Sequence, residues 1–314
     1  MNTNERKMYT CLIILTIITI ITANNNPFFQ AEGKPTITTT KESDKLLTEI
    51  KTNAKEYEEE PEDAYVDRVW KKTPGRNGRK VNIEKSYKKM KKSGQFNDSL
   101  LVFDEVPPSV SLHELPSSPI YRGHPEKEMV ALLINVSWGT EHIPTILTIL
   151  NKKNVKATFF IEGKWAKENK NIVKMIVEQD HLIGNHAYNH PDMAHISVAE
   201  MRNQIENTNE IIEAITGYRP KWFAPPSGSF NDQVVQTAHE LEMETILWTV
   251  DTIDWKNPSV SVMINRVIKN IHPGATILMH PTEPVAQGLE TLIDEIKQKE
   301  YEIGTIEHLL SEER

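Results

Sequence analysis

Cysteine is all but absent from this sequence. Its one representative, Cys11, lies inside the apolar first segment, so the body of the protein has neither a disulfide framework nor a thiol nucleophile. An excess of cations is missing too, since 36 Lys and Arg face 44 Asp and Glu for a net charge of -8. Phosphate binding draws on clustered cations, which argues against duplex nucleic acid as a partner and leaves an uncharged or weakly charged polymer as the better fit. Long hydrophobic runs are scarce, and the clearest one, Cys11 to Ala23, is short for a membrane span. With Arg6 and Lys7 ahead of it, this stretch reads as an export signal. No clear small-x-small cleavage site follows it. Residues 1–23 are therefore either a removed signal peptide or a retained signal anchor, and the body is placed outside the cytoplasmic membrane, touching it only through this segment.

What the chain does have is 38% hydrophobic and 25% charged residues, ordinary for a globular protein with a proper core. From Asn24 to about Pro125 the composition is rich in Lys, Glu, Ser, Thr and Pro with short apolar patches, which predicts a polar, partly helical stalk over residues 24–125. Within it an island from Ala64 to Met90 holds Trp70, a Pro74-Gly75 turn and a basic helix over Ser86 to Lys92. From Glu128 onward strands and helices alternate, the mark of an α/β domain with parallel strands, here residues 126–310. Val130 to Val136 is a continuous apolar run, and Ile143, Ile146, Leu147 and Leu150 recur at helical spacing. A second strand covers Ala157 to Ile161. A helix begins at Ser197, with Ser197 and Glu200 as a capping box, and stops at Gly217. Thr245 to Val250 and Ala275 to Met279 read as later strands, and Leu289, Leu292, Ile293 and Ile296 mark a closing helix. Units of this kind predict a distorted or incomplete (β/α) barrel, whose functional groups gather at the carboxyl ends of strands.

His186 and His190 stand four residues apart after the strand-like His181-Leu182-Ile183-Gly184, a ligand spacing for a borderline metal such as zinc. The H-E-x-x-H protease pattern is excluded, because Ala187 occupies the place of its glutamate. Asp251 and His280 also follow apolar strands. Polar groups at several strand ends point to one shared site.

Five ordered motifs from Met129 to the C-terminus resemble the polysaccharide deacetylase family, the NodB-homology domain of carbohydrate esterase family 4. They are Ala157-Thr158-Phe159-Phe160, His186-x-x-x-His190, Pro225-Pro226-Ser227-Gly228, Asp251-x-x-Asp254-Trp255 and Leu278-Met279-His280. Val136-Ser137-Trp138-Gly139 and the prelude Pro119 to Pro125 are most similar to a sporulation subgroup of that family. The resemblance implies metal-dependent hydrolysis of N-acetyl groups on a cell-wall glycan, peptidoglycan or a chitin-like amino sugar. It makes His186 and His190 ligands of a divalent metal, usually zinc. His280 becomes the general acid with Asp254 orienting it. The Ser227 backbone N–H becomes an oxyanion donor, and Pro225, Trp255 and Leu278 belong to the substrate pocket.

Two departures accompany the resemblance. The family's first strand ends in two aspartates, base then ligand, and a gapless register puts Asn135 and Val136 there. A register set on Gly139 puts Ser137 and Trp138 there instead. Neither supplies a carboxylate, for none occurs between Glu128 and Glu141. The first register is preferred, which makes Asn135 a degenerate base position and leaves the third ligand missing. The family's arginine before the Pro-Pro pair, partner of the base, is Ala224. Joint loss of a buried pair is what electrostatics favours, because a lone buried charge costs about 3–5 kcal/mol. Two readings stay open: a deacetylase with weak or altered catalysis, its carboxylate supplied by Glu141, Asp192 or Asp251, or a catalytically silent relative acting as a glycan-binding or scaffolding module of the envelope. Asp251 as a turn cap and Glu141 at a helix start are the plainer readings of those two residues.

Overall fold

The computed structural model describes residues 38–314, with side chains from residue 45. The expected export segment, residues 1–23, lies outside the described residues. Among the described residues no helix is long and apolar enough to cross a membrane. Contacts divide the described residues into two compact units, one of residues 38–54 with 83–102 and one of residues 55–82 with 103–314. In the first, the helix Thr38–Tyr57 buries Leu46, Ile50 and Ala54, a four-residue repeat that makes one apolar stripe. Met90 and Leu101 are buried there too, and Ser86 Oγ accepts the Val102 N–H at 2.9 Å. The basic helix runs over Ile83–Met90, earlier than its charges suggested.

The second unit opens with two short antiparallel pairs, Tyr65–Asp67 (β1) with Lys71–Thr73 (β2) and Gly78–Val81 (β3) with Phe103–Val106 (β4). The main sheet follows: Met129–Val136 (β5), Thr158–Ile161 (β6), Leu182–Asn185 (β7), Trp222–Phe223 (β8), Glu244–Thr245 (β9), Val250–Asp251 (β10), Thr276–Met279 (β11) and Glu302–Gly304 (β12). Its order is β10-β11-β5-β6-β7-β8-β9, with β12 beside β5, and every pairing is parallel. This is the incomplete (β/α) barrel that the strand–helix alternation implied.

Period-two alternation sorts the core into two layers. Val130, Leu132, Ile134 and Val136 face outward into a large cluster with the helices, including Ile143, Ile146, Leu147 and Leu150 of the helix Ile143–Lys152 and Leu289, Leu292, Ile293 and Ile296 of Glu283–Gln298. Ala131 and Leu133 face the barrel interior with Phe160, Trp222, Ala224 and Ile246. Asn135 continues this inner row. Ser137, the base position of the other register, lies two residues on and so shares this face.

Two sequence expectations are corrected here. Residues 55–82 and 103–125 form no stalk but belong to the barrel unit. Ile120, fully buried, lies along the free edge of β9: its N–H donates to the Thr245 carbonyl at 2.8 Å and its carbonyl accepts the Leu247 N–H at 2.8 Å. Tyr121 O accepts from Thr276 Oγ1 at 2.6 Å, and Gly123 N–H donates to Gly274 O at 2.8 Å. An exposed edge would present unpaired backbone groups, and the prelude covers it while bridging towards β11. Its polar composition hid this because backbone bonding needs no apolar side chain. The second correction concerns Thr245 to Val250, which is not one strand but the two short ones β9 and β10. Ile246 N–H still bonds Phe223 O, Leu247 turns to Ile120, and Val250 pairs with Ile277, so residues 246–249 span the barrel opening.

His181, at the entry to β7, supplies a pH test. It is buried, its Nδ1 accepts the Ala157 N–H at 3.2 Å, and its Nε2 has no partner. Burial, helped by nearby Lys156, lowers its pKa from 6.5 to about 4. The unfolded imidazole takes up its proton first as pH falls. Stability is therefore expected to drop by roughly 2–4 kcal/mol between about pH 6.5 and 4 from this group. Urea denaturation across that range should show the slope in the native protein and flatten it in His181→Gln.

Candidate functional site

The carboxyl ends of the strands converge on a cavity of about 400 Å³ lined by Asn135, Ser137, Trp138, His186, His190, Ser227, Trp248, Asp251, Trp255, Leu278 and His280. His186 follows β7, and the loop beyond it is held by amides that are themselves buried. Asn185, with no exposure, accepts the Ala187 N–H on Oδ1 at 2.8 Å. Its Nδ2 donates to Ile205 O and Asn209 Oδ1, each at 2.8 Å. Gln204 Oε1 accepts the N–H groups of Tyr188 at 2.9 Å and Asn189 at 3.1 Å. Both Asn209 and Gln204 come from the long helix Val198–Thr216. Its Ser197 cap accepts the Glu200 N–H at 3.2 Å, while the Glu200 carboxylate accepts from Gln204 and so leaves the expected capping box half formed.

His186 is buried, and its Nδ1 lies 2.7 Å from the Ala224 carbonyl. A carbonyl only accepts, so Nδ1 carries the hydrogen and Nε2 keeps its lone pair for the cavity. Burial first, then neighbouring His190 and His280, lowers its pKa to about 3, so the ring is neutral near pH 7. The rings of His186 and His190 meet edge to face, with centroids 5.1 Å apart. His190 is exposed at the rim, in a left-handed backbone conformation with φ 57°.

Across the cavity His280 Nδ1 sits 3.0 Å from Asp254 Oδ1, and its backbone N–H donates to Oδ2 at 3.0 Å. Thr252 Oγ1 and Thr282 Oγ1 donate to the same carboxylate at 2.7 and 2.8 Å. Burial alone would raise the pKa of Asp254, but the His280 pairing and the threonine bonds overcome it and hold the carboxyl below its usual value. Trp138 stacks on His280, with centroids 6.0 Å apart and planes within 9°. Gly139 makes this possible, because a Cβ there would stand 1.9 Å from Pro281 O. On the opposite wall, a Cβ on Gly228 would reach 2.8 Å from the Trp248 ring, so the Pro225–Gly228 turn forms the surface on which that ring rests.

The sequence-derived site residues therefore largely meet. Asn135, His186, His190, Ser227, Trp255, Leu278 and His280 line one cavity, with Asp254 directly behind His280. Pro225 does not line it. Its carbonyl accepts the Gly228 N–H at 3.0 Å, which shapes the turn that presents Ser227. Trp248 was missed as a wall residue because it was read inside a strand, and Trp138 because it was weighed only as an aspartate position.

The missing carboxylate is not replaced by Glu141 or Asp192. Glu141 is a surface group 3.7 Å from His142 Nε2, and Asp192 bonds Ser229 and His195 away from the cavity. Asp251 does line the cavity and also caps its turn, accepting the Ile253 N–H on Oδ1 at 2.8 Å. Asn135 is 4% exposed, and its Oδ1 has no hydrogen-bond partner. An unmet buried acceptor costs about 1–3 kcal/mol. Val136, the position expected for a third ligand, is fully buried in the outer core. A catalytic zinc takes three protein ligands. Among the described residues no group of three His, Cys, Asp or Glu side chains is placed to hold a metal. The residues present thus do not fit the expected catalytic zinc centre, and a neutral amide cannot take a proton from water.

Comparison with known proteins agrees with this geometry. A family profile for polysaccharide deacetylase matches residues 122–246. The Bacillus subtilis protein YlxY, described as uncharacterized, is 51% identical over 287 residues, covering 91% of this chain and 90% of that one. The peptidoglycan-N-acetylglucosamine deacetylase of Bacillus cereus is 39% identical over 184 residues, 57% of this chain and 67% of that protein. A crystal structure of a CE4 family pseudoenzyme from Bacillus anthracis superposes with a TM-score of 0.82 at 52% identity, covering 86% of this chain and 96% of that chain. A mutant of it with restored enzymatic activity superposes equally well, with a TM-score of 0.83. Deacetylases of this family are generally metal-dependent, which sharpens the contrast with the donor set found here. The chain belongs to the polysaccharide deacetylase family, carbohydrate esterase family 4.

Proposed function

We propose that this protein is a catalytically disabled deacetylase whose cavity binds amino-sugar chains of the cell wall, outside the cytoplasmic membrane. The observation that carries the reading is the orphaned amide of Asn135 at the end of the opening strand, where the chemistry needs a carboxylate. Val136 in the core and Ala224 in the barrel interior support it, because ligand and counter-charge are lost together. The Bacillus anthracis pseudoenzyme and its reactivated mutant lend further support, as does the Bacillus cereus enzyme for the class of polymer. Trp138 and Trp255, 46% and 54% exposed, bring aromatic surface to the cavity rim for sugar rings, although His280 lies against one face of the first and the Lys256 ammonium over the second. Export through residues 1–23 fits a wall-facing role.

The intact Asp254–His280 pair favours a second reading, residual deacetylation. Two assays on the purified chain decide between them: co-sedimentation with peptidoglycan, and acetate release from peptidoglycan and from N-acetylglucosamine oligomers. Binding without acetate release is expected. Acetate release that disappears in His186→Ala overturns the disabled reading, and failure to sediment overturns the binding one.

A further inference from the structure

The first unit carries a charge opposite to that of the barrel. Its residues 38–54 and 83–102 hold eight lysines against five Asp and Glu, whereas residues 55–82 and 103–314 hold 25 Lys and Arg against 37 Asp and Glu. A change of sign between parts of one chain points to an anionic partner for the basic part. The excess is local, because Lys85, Lys88, Lys89, Lys91 and Lys92 fall within eight residues, and all five are exposed. Lys85, Lys88 and Lys89 stand three and four residues apart on the helix Ile83–Met90, so they share one face, away from buried Ser86 and Met90. Lys91 and Lys92 prolong the run into the turn that follows. Lys88 pairs with Glu84 at 2.8 Å, while Lys89, Lys91 and Lys92 have no side-chain partner among the described residues. Like charges four residues apart destabilise a helix, and Lys85 with Lys89 is such a pair. The helix dipole favours lysines in the last turn, but this run starts before that turn and continues past it. Its charges serve something outside the fold.

Two further observations name the partner. No large hydrophobic side chain is exposed among the residues described in this unit, so the surface is suited to lie on its partner and not to insert. The apolar stretch ends at Ala23 and the first helix starts at Thr38, so the chain between them reaches no more than about 50 Å. Cys11 to Ala23 is short for a membrane span. A weak apolar anchor holds a membrane only marginally, and stable attachment takes a second signal such as a polybasic patch. We propose that the lysine face of Ile83–Met90 and its following turn docks on an anionic phospholipid surface, a second membrane contact beside residues 1–23. The inference rests on the export reading of residues 1–23 and is independent of amino-sugar binding by the cavity.

The test is flotation of the full-length chain with vesicles of phosphatidylcholine alone and of phosphatidylcholine with phosphatidylglycerol. Lysines near an anionic surface act together, so the anionic vesicles should be bound about 10–100-fold tighter at ~0.1 M salt, a difference that ~0.5 M salt should erase. The apolar segment meets both vesicles alike and drops out of the comparison. Lys85→Gln, Lys88→Gln, Lys89→Gln and Lys92→Gln combined should abolish the preference and leave binding to phosphatidylcholine as it was. The same four positions changed to Arg should keep it. Lys164→Gln, Lys167→Gln, Lys170→Gln and Lys174→Gln remove equal charge from exposed positions of the barrel unit and should also leave it intact. Equal binding of the two vesicles by the native chain overturns the inference. So does an equal loss in the barrel variant, which would show that net charge alone is at work. Soluble polyglycerol phosphate that erases the preference at matched phosphate would make a wall polymer the partner and overturn it as well. If the first Gln variant does not fold, the native comparison and the barrel variant still decide.

Discussion

Asn135→Asp combined with Ala224→Arg is expected to raise acetate release from N-acetylated oligomers by about 10²–10⁴-fold over the native chain, the span a positioned general base contributes. The pleat of β5 makes position 135 suitable. Ala131, Leu133 and Asn135 share the inner face, so an aspartate would enter the cavity without repacking the outer core. It would also be buried, as Asn135 is. A buried carboxyl with no counter-charge is pushed up in pKa and holds its proton, so Asn135→Asp alone should gain less than the pair. Ala224→Arg alone should lose about 3–5 kcal/mol of stability, because it strands a cation in the barrel interior. The expected order of acetate release is native, then Asn135→Asp, then the double variant. A double variant that folds and gains nothing would show that the amide is not what silences the site.

The elements whose side chains do the packing could be read from the sequence, and those held by backbone bonding could not. Outward Val130, Leu132, Ile134 and Val136 meet helix residues at a spacing visible in the chain. His186, His190, Asp254 and His280 sit at strand ends, where a barrel gathers its chemistry, and they meet as that rule requires. The prelude was opaque because Pro119 to Gly123 joins the sheet through main-chain groups, which leave no hydrophobic pattern. Residues 246–249 were read as strand because Ile246 and Leu247 are apolar, yet they cross the opening and carry Trp248 to the cavity wall. Glu141 and Asp192 remained open as carboxylate donors until their partners, His142 for one and Ser229 with His195 for the other, were seen to hold them elsewhere.

Glu244→Ala is expected to cost the barrel unit about 3–5 kcal/mol, far more than its single ion pair would suggest at a surface. Lys72 on β2 has no exposed side chain, and its Nζ lies 2.6 Å from Glu244 Oε1, whose side chain is 12% exposed. Among the described residues the only other acceptor within reach of that ammonium is Leu115 O at 3.5 Å, and His113 Nδ1 approaches the same carboxylate oxygen at 3.9 Å. Glu244 belongs to β9, and Lys72 N–H donates to Pro119 O at 3.1 Å, so the pair fastens the prelude to the edge it covers. Removing the carboxylate leaves a buried ammonium unpaired, whereas removing both charges does not. Lys72→Met with Glu244→Leu should therefore recover most of the loss, the pattern expected when uncompensated charge sets the cost. Arg202→Ala, in the same unit, is the control. Its pair with Glu240 is solvent-exposed, and such pairs contribute about 0.2–1 kcal/mol. All six tryptophans, at positions 70, 138, 165, 222, 248 and 255, lie in the barrel unit, so urea titration followed by tryptophan fluorescence reports on that unit. A Glu244→Ala loss no larger than the surface control would mean that the pair does not hold the prelude in place. A double variant as unstable as the single would place the cost in packing rather than charge.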